Sequence, residues 1–410
     1  MILSSSFDFT ILTPVVILLA ISAFIPVLLG ALRIKSIPYN AAEIVAGIIL
    51  GVLFNKSGMF NSELSEGLYL IGMAILLFLS GLDTDFSVFK KHDHHDKKEV
   101  EVLKESIVLI LIIFGLSFLA SFIFTKYITG NIISGLFLLT ISFSTTFASI
   151  VVPIVHQRGL AHTTIGKIIC TYSEISELLS IVLLSIYMLL NRINHDQKPW
   201  LLIIVVITLV VTYLVERFLK KDLFKKAMGT FTHLALRLCL LVFIICILIS
   251  QYSGVEFILG AFLAGLVLRI SKISHESVEK LEVVGYGIFV PMFYILLGVR
   301  IPFMTIIQNP TYIGLTIALF AVLLLVKVPF LLLLKWFKVK VVIPTMLITS
   351  CTIIISITLE SFGVFTSEFS YCLILASTLT CLIPPSIFRS TKKVNYKEYD
   401  LIMNHEEVLE

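Results

Sequence analysis

Apolar runs of about twenty residues recur along nearly the whole chain, each long enough to cross a hydrocarbon core of roughly 30 Å at about 1.5 Å per residue. Thirteen such runs stand near 9–32, 38–54, 67–86, 106–127, 131–156, 163–191, 200–217, 233–251, 255–270, 284–303, 312–336, 341–362 and 368–389. Lipid offers no partner for backbone N–H and C=O groups, so each run is expected to satisfy its own by being helical. The expectation is an all-α polytopic membrane protein with about 13 transmembrane helices filling residues 1–389. Composition agrees: 58% of the 410 residues are hydrophobic and 14% charged, with a mean hydropathy of +1.03, outside the balance of a soluble globular domain.

Orientation follows from the basic residues. If the runs alternate from an outside N-terminus, 23 Lys and Arg residues fall inside and 5 outside, with Lys167, Arg237 and Lys327 within spans. The reading is a cell (inner) membrane protein with the N-terminus outside and the C-terminus cytoplasmic. The start MILSSSFDF has no basic n-region, so the first span is expected to be retained. The net charge of +4 reflects inside loops and does not suggest nucleic acid. Cys170, Cys239, Cys246, Cys351, Cys372 and Cys381 lie in apolar spans without metal-ligand spacing and read as packing residues. No cofactor is expected.

The longest hydrophilic insert, KKHDHHDKKEVEVLKE at 90–105, falls on the inside and reads as a charged cytoplasmic insert. Its His92, His94 and His95 could titrate or bind a metal, but a solvated loop is the simpler account. The cytoplasmic tail, 390–410, is too short for a nucleotide-binding regulatory domain.

An internal repeat is visible. Glu43-Ile-Val-Ala-Gly47 followed by Gly51 resembles Glu256-Phe-Ile-Leu-Gly260 followed by Gly265, an offset close to 213 residues. Phe78-Leu-Ser-Gly81 likewise resembles the stretch ending at Gly298. The units would be about 38–191 and 255–389, entering from opposite sides, which is the inverted repeat of many secondary transporters with a site near the midplane. Chance likeness between glycine-rich runs is the alternative.

Ionisable groups deep in spans are costly and mark function or a partner. Glu177 lies about fourteen residues from either end of 163–191, roughly 21 Å from each, and Glu174 projects from the same face three residues earlier. Two close carboxylates in a low dielectric cannot both ionise cheaply, so such a site can trade protons for a cation. The plainer account is a structural carboxylate hydrogen-bonded to a neighbouring helix. Lys327, in Leu-Leu-Leu-Val-Lys327-Val-Pro329, is too deep to snorkel and needs a buried carboxylate partner, with Glu177 or Glu174 the natural candidate, or must lose its charge; packing against the carbonyl of a broken helix is the plainer account. The hydroxyl-rich stretch Ser142-Phe-Ser144-Thr145-Thr146-Phe-Ala148-Ser149 before Pro153, and Ser356 and Thr358 in the span at 341–362, suit two broken core helices, though packing serines are nearly as good an account. Asp83 and Asp85 read as helix-end groups, and Glu43 and Glu256 as interfacial.

The chain resembles the monovalent cation:proton antiporter-2 family, which contains bacterial sodium/proton antiporters and the membrane parts of Kef-type potassium efflux systems. The likeness is carried by Ala46-Gly47-Ile-Ile-Leu-Gly51, Leu76-Leu-Phe-Leu-Ser-Gly81-Leu-Asp83-Thr-Asp85, Ser144-Thr-Thr-Phe-Ala-Ser-Ile-Val-Val-Pro153, Gly260-Ala-Phe-Leu-Ala-Gly265 and Phe289-Val-Pro-Met-Phe-Tyr-Ile-Leu-Leu-Gly298. The resemblance implies a sodium/proton antiporter fold of thirteen helices, a homodimer, and a secondary active transporter rather than an enzyme. It implies that Ser176-Glu177 stands at the family's ion-binding pair and Lys327 at its core lysine. On that reading Glu177 alternately binds a proton or a monovalent cation, Na⁺ or K⁺, with Thr146, Ser144, Ser176 and break carbonyls supplying oxygens, while Glu174 and Lys327 tune it. The sequence departs from the pattern in Ser176, in Glu177 where the family has aspartate, in Glu174, and in lacking an Arg-Gly-Glu motif at 341–362. Ion selectivity and stoichiometry are therefore not carried over, and a channel-like potassium efflux pathway or a transporter of another substrate stands as the alternative.

Overall fold

The protein is seen in a computed structural model that describes residues 12–32, 39–54, 59–60, 62–83, 97–157, 164–193, 234–252, 257–270, 275–332 and 364–387. The runs expected at 200–217 and 341–362, Ser356, Thr358, Glu256, Asp85, the histidines of the insert and the tail lie outside the described residues.

The described residues are helical, joined by short turns. In chain order they form α1 (Thr13–Ala31), α2 (Tyr39–Phe54), α3 (Glu63–Asp83), α4 (Lys97–Ser121), α5 (Ile132–Ser144), α6 (Ala148–Gln157), α7 (Thr164–Ile193), α8 (Leu234–Tyr252), α9 (Phe257–Ile270), α10 (His275–Val284), α11 (Val290–Arg300), α12 (Phe303–Gln308), α13 (Pro310–Leu325) and α14 (Ser367–Ile387). Among the described residues the sole β-pairing is one antiparallel bridge, Ile128 to Phe365. Helical stretches at Thr13–Ala31, Glu63–Leu82, Val102–Tyr127, Ser277–Gln308 and Pro310–Phe330 are long and apolar enough to cross a bilayer. Their faces differ as lipid-exposed helices require. On α4, Ile113 and Ser117 are buried while Leu111 and Leu119 are exposed.

Two boundaries depart from the expected ones. The fourth span begins at Lys97, so the second half of the charged insert forms the opening turns of α4, and the span closes in a 3₁₀ turn at Phe122–Tyr127. The tenth span is likewise longer, α10 running through a π-helical segment, Gly285–Phe289, into α11. Hydropathy marks the hydrocarbon crossing, whereas the hydrogen-bonded helix continues into polar residues on the water side.

Two helix crossings set the frame. A Cβ on Gly47 would strike the carbonyl oxygen of Ile295, and one on Gly298 would strike that of Ile44 and lie 2.9 Å from the Gly47 carbonyl carbon. The crossing of α3 and α9 repeats this: a Cβ on Gly81 would strike the Phe262 carbonyl oxygen, and one on Gly265 that of Phe78. Backbones approach this closely only where neither helix carries a side chain. The partners exchange roles, since Gly265 stands 218 residues after Gly47 and Gly298 stands 217 after Gly81. The repeat expected from the sequence sets Gly47 against Gly260 at an offset near 213, and a glycine-rich string aligns with itself at several registers.

The fifth span is broken. Ser144 ends α5, Thr145 is extended (φ −61°, ψ 147°), and the helix resumes at Ala148. The residues themselves explain the break: the Thr145 N–H (3.0 Å), the Ser144 hydroxyl (3.1 Å) and the Thr145 hydroxyl (2.5 Å) all turn to the Ile141 carbonyl. Hydroxyls that bond back to the preceding turn compete with helix continuation.

Candidate functional site

A broken helix exposes two sets of unsatisfied backbone groups, carbonyls at the C-terminal end of the first half and N–H groups at the N-terminal end of the second. Here both are met by charged side chains from other helices. Lys327, fully buried in the turn after α13, directs its Nζ to the carbonyl oxygens of Ser144 (2.5 Å) and Thr145 (3.1 Å), to Thr146 Oγ1 (3.1 Å) and to the Tyr172 hydroxyl (3.1 Å). At the other end, the Ala148 N–H donates to Glu177 Oε2 at 2.9 Å. A cation at a helix C-terminus and an anion at an N-terminus each complement the local dipole.

The placement of Lys327 has a local cause. Pro329 cannot donate a backbone N–H, α13 stops at Leu325, and the chain tightens to a 3₁₀ turn at Val328–Leu332. That turn carries Phe330, whose ring meets Tyr172 edge-on at 4.7 Å between centroids.

Glu177 is 3% exposed, on α7. The Ser80 hydroxyl of α3 lies beside its carboxylate, and Glu174, one turn earlier, is close enough to act on it electrostatically. Its second oxygen, Oε1, is buried and makes no hydrogen bond among the described residues. An acceptor with a free lone pair in a dry site is suited to a proton or a metal ion.

The expected residues come together around the break. Ser176 donates from Oγ to the Ser144 carbonyl at 3.3 Å, Thr146 supplies Oγ1 to Lys327, and Ser144 supplies its main-chain carbonyl, its hydroxyl being spent on Ile141. Glu174 is partly buried on the same stretch of α7. The ammonium of Lys327 sits on break oxygens, the second of the two placements open from its sequence.

Tyr172, Ser180 and Ser80 were not singled out from the sequence, and Thr145 was named there only as part of the hydroxyl-rich stretch. Tyr172 donates to the Ser144 carbonyl at 3.3 Å, and the Thr145 and Ser180 hydroxyls lie 2.5 Å apart. A helical signal did exist: residues 172, 176 and 180 recur at i, i+4 and i+8, a polar stripe on one face of α7. That stripe, with Ser144, lines a narrow cavity closed on the apolar side by Ile110 and Phe114 of α4. Among the described residues no group of three or more His, Cys, Asp or Glu side chains could hold a metal ion; the oxygens at the break are those of hydroxyls, carbonyls and the Glu177 carboxylate.

The profile of one family, sodium/hydrogen exchanger, transmembrane, matches residues 17–394. The chain belongs to this family. It is a multi-pass membrane protein. It is 29% identical over 401 residues to a Bacillus subtilis protein named "Putative Na(+)/H(+) antiporter YjbQ", covering 94% of this chain and 64% of that one. It is 24% identical over 278 residues to an Enterococcus hirae protein named "Na(+)/H(+) antiporter", covering 65% and 68%. The chain spans about two thirds of the length of the curated relatives it matches. In fold it is similar to the sodium proton antiporter MjNhaP1 from Methanocaldococcus jannaschii, with a TM-score of 0.56 over 92% of this chain and 98% of that one at 15% identity.

Proposed function

We propose that this family member exchanges protons for a monovalent cation, Na⁺ or K⁺, by alternating access across a cell membrane, as a homodimer with its N-terminus outside and its C-terminus in the cytoplasm. The observation that carries the exchange is the pairing of two opposite charges on one helix break, Glu177 at the N-terminal end of α6 and Lys327 on the carbonyls that end α5. Supporting it, relatives bear the names of Na(+)/H(+) antiporters, and one from Saccharomyces cerevisiae, 22% identical over 295 residues, bears that of a K(+)/H(+) antiporter.

The Glu177 carboxylate holds either a proton or a dehydrated cation, and competition for one group makes exchange obligatory. The cation draws on oxygens already facing the break: Thr146 Oγ1, the carbonyls of Ser144 and Thr145, and the hydroxyls of Ser176 and Tyr172. In the conformation described, the Lys327 ammonium occupies four of these oxygens as a tethered cation. An arriving metal ion has to displace it, and the displaced lysine can then release a proton, giving a route to a second proton per cycle. The two glycine crossings, α2 with α11 and α3 with α9, we read as the centre of an inverted repeat of about 38–191 and 255–389.

The test is proton flux in proteoliposomes of the full chain under imposed Na⁺, K⁺ and Li⁺ gradients, with and without a clamped voltage. Cation-driven proton movement is expected from the parent and none from Glu177→Gln. Full exchange by that variant removes Glu177 from its role, and conductive cation flux without proton movement identifies a channel instead.

A further inference from the structure

A second acid is buried far along the chain from the break. Glu43, one turn into α2, is 5% exposed, although its position near a span start suggested an interfacial group. It stands on the crossing of α2 and α11, beside Ile44, whose carbonyl faces Gly298. Tyr294 of α11, 0% exposed, belongs to the same crossing, and its hydroxyl makes no hydrogen bond among the described residues. The polar and titratable groups around that hydroxyl are Glu43 and Asn40 of α2, Tyr286 of the π-helical segment and Cys381 of α14.

The other elements packed on α2 add no described cation to this junction. α1 and α12 carry no titratable side chain. On α11 the one basic residue, Arg300, is held by Glu66 at 2.9 Å and lies over the Tyr69 ring at 3.8 Å. On α14, Glu368 is exposed, and Cys372 turns to the Tyr312 carbonyl at 3.6 Å. An isolated carboxylate in such surroundings is costly, whereas a protonated carboxyl brings one O–H donor, and the Tyr294 oxygen, with the Asn40 amide beside it, can turn to accept it. The same hydroxyl can turn and donate once the proton leaves, so Tyr294 can serve both states of the acid.

We propose that Glu43, with Asn40 and Tyr294, forms a second proton-binding site at the junction of α2, α11 and α14, separate from Glu177. Its ligand is a proton exchanged with water, and no metal is required. Protonated, the carboxyl is neutral and bonds to Tyr294, leaving the Gly47–Gly298 crossing tight. Deprotonated, it places a charge in an apolar three-helix junction, which must admit water or loosen. The crossing thereby carries a contact that depends on proton occupancy, whatever ion the Glu177 site handles.

The test is infrared difference spectroscopy of the full chain in lipid nanodiscs, titrated across neutral pH, reading the carbonyl stretch of protonated carboxyls without any transport. The expected result is a band lost in Glu43→Gln and kept in Glu177→Gln, whose frequency shifts in Tyr294→Phe. A spectrum in which Glu43→Gln matches the parent throughout overturns the proposal. If Glu43→Gln does not fold, the Tyr294→Phe variant decides: it leaves the carboxyl in place, and an unshifted set of carboxyl bands overturns the proposal equally. Because the readout is protonation, it is independent of whether antiport by Glu177 is found.

Discussion

Glu177 and Lys327 hold the two cut ends of one helix: the Ala148 N–H that opens α6 donates to the Glu177 carboxylate at 2.9 Å, and the Lys327 ammonium lies on the Ser144 carbonyl that closes α5. They sit at opposite poles of a three-residue gap, Thr145 to Phe147, each facing the partial charge that suits it. Structure and proposed chemistry thus depend on the same two side chains, so substitutions must be chosen to separate them.

At Glu177 the separation is between glutamine and leucine. Glutamine keeps a side-chain oxygen for the Ala148 N–H, so Glu177→Gln is expected to fold with little change in thermal stability and to lose exchange. Leucine strands that buried donor at a cost of about 1–3 kcal/mol. A lower melting temperature for Glu177→Leu than for Glu177→Gln, measured on the purified proteins in one detergent, is the expected outcome.

Lys327→Met removes a donor shared by the carbonyls of Ser144 and Thr145; the Ser144 carbonyl keeps the Tyr172 and Ser176 hydroxyls, so the loss, about 1–3 kcal/mol, comes from the Thr145 carbonyl. A free metal ion can then take the vacated oxygens, and any ligand that binds only the folded form raises its stability. Added Na⁺ or K⁺ should therefore raise the melting temperature of Lys327→Met more than that of the parent, with the more effective ion naming the cargo. Equal shifts in the two proteins count against the four oxygens as a cation site.

Thr146 and Ser144 differ in what they offer. Thr146 contributes Oγ1, so Thr146→Val is expected to weaken apparent cation affinity by about fivefold, the loss of roughly 1 kcal/mol. Ser144 contributes its main-chain carbonyl, while its hydroxyl bonds to Ile141 at 3.1 Å, so Ser144→Ala should leave affinity within about twofold. Half-saturating Na⁺ or K⁺ in the proteoliposome assay reads both.

Gly47→Leu forces a side chain into the Ile295 backbone and is expected to abolish folded protein, as judged by monodispersity after extraction. Gly115 has open space where a Cβ would go, and Gly115→Ala on α4 is expected to stabilise by up to about 1 kcal/mol. The contrast between two helical glycines of equal hydropathy checks the crossing geometry.

Membrane character, the helical architecture and the main buried acid were legible in the residues. Length of apolar run is a direct measure against bilayer thickness, and Glu177 stands out because an ionisable group fourteen residues from either end of its span has nowhere to reach water. The break at Thr145 was legible only in part, since a hydroxyl-rich stretch before Pro153 suits a broken helix about as well as it suits packing serines. Tyr172, Ser180 and Ser80 were not, because single tyrosines and serines within spans look the same whether they pack or coordinate. Their role depends on which helix lies opposite. The burial of Glu43 was not legible for a related reason: distance from a span end measures depth in lipid, while its burial is set by α11.

By itself, then, the sequence determined that the chain lies in a membrane as helices and which charges lie deep within the spans, since these follow from local hydropathy and distance along the chain. Tertiary structure alone decided that Lys327 rests on the carbonyls of Ser144 and Thr145, that Gly47 faces Gly298 while Gly265 faces Gly81, and that Glu43 is buried at the crossing of α2 and α11. Those are contacts between residues tens to hundreds of positions apart, and along a uniformly apolar helix no periodicity records which face another helix will cover.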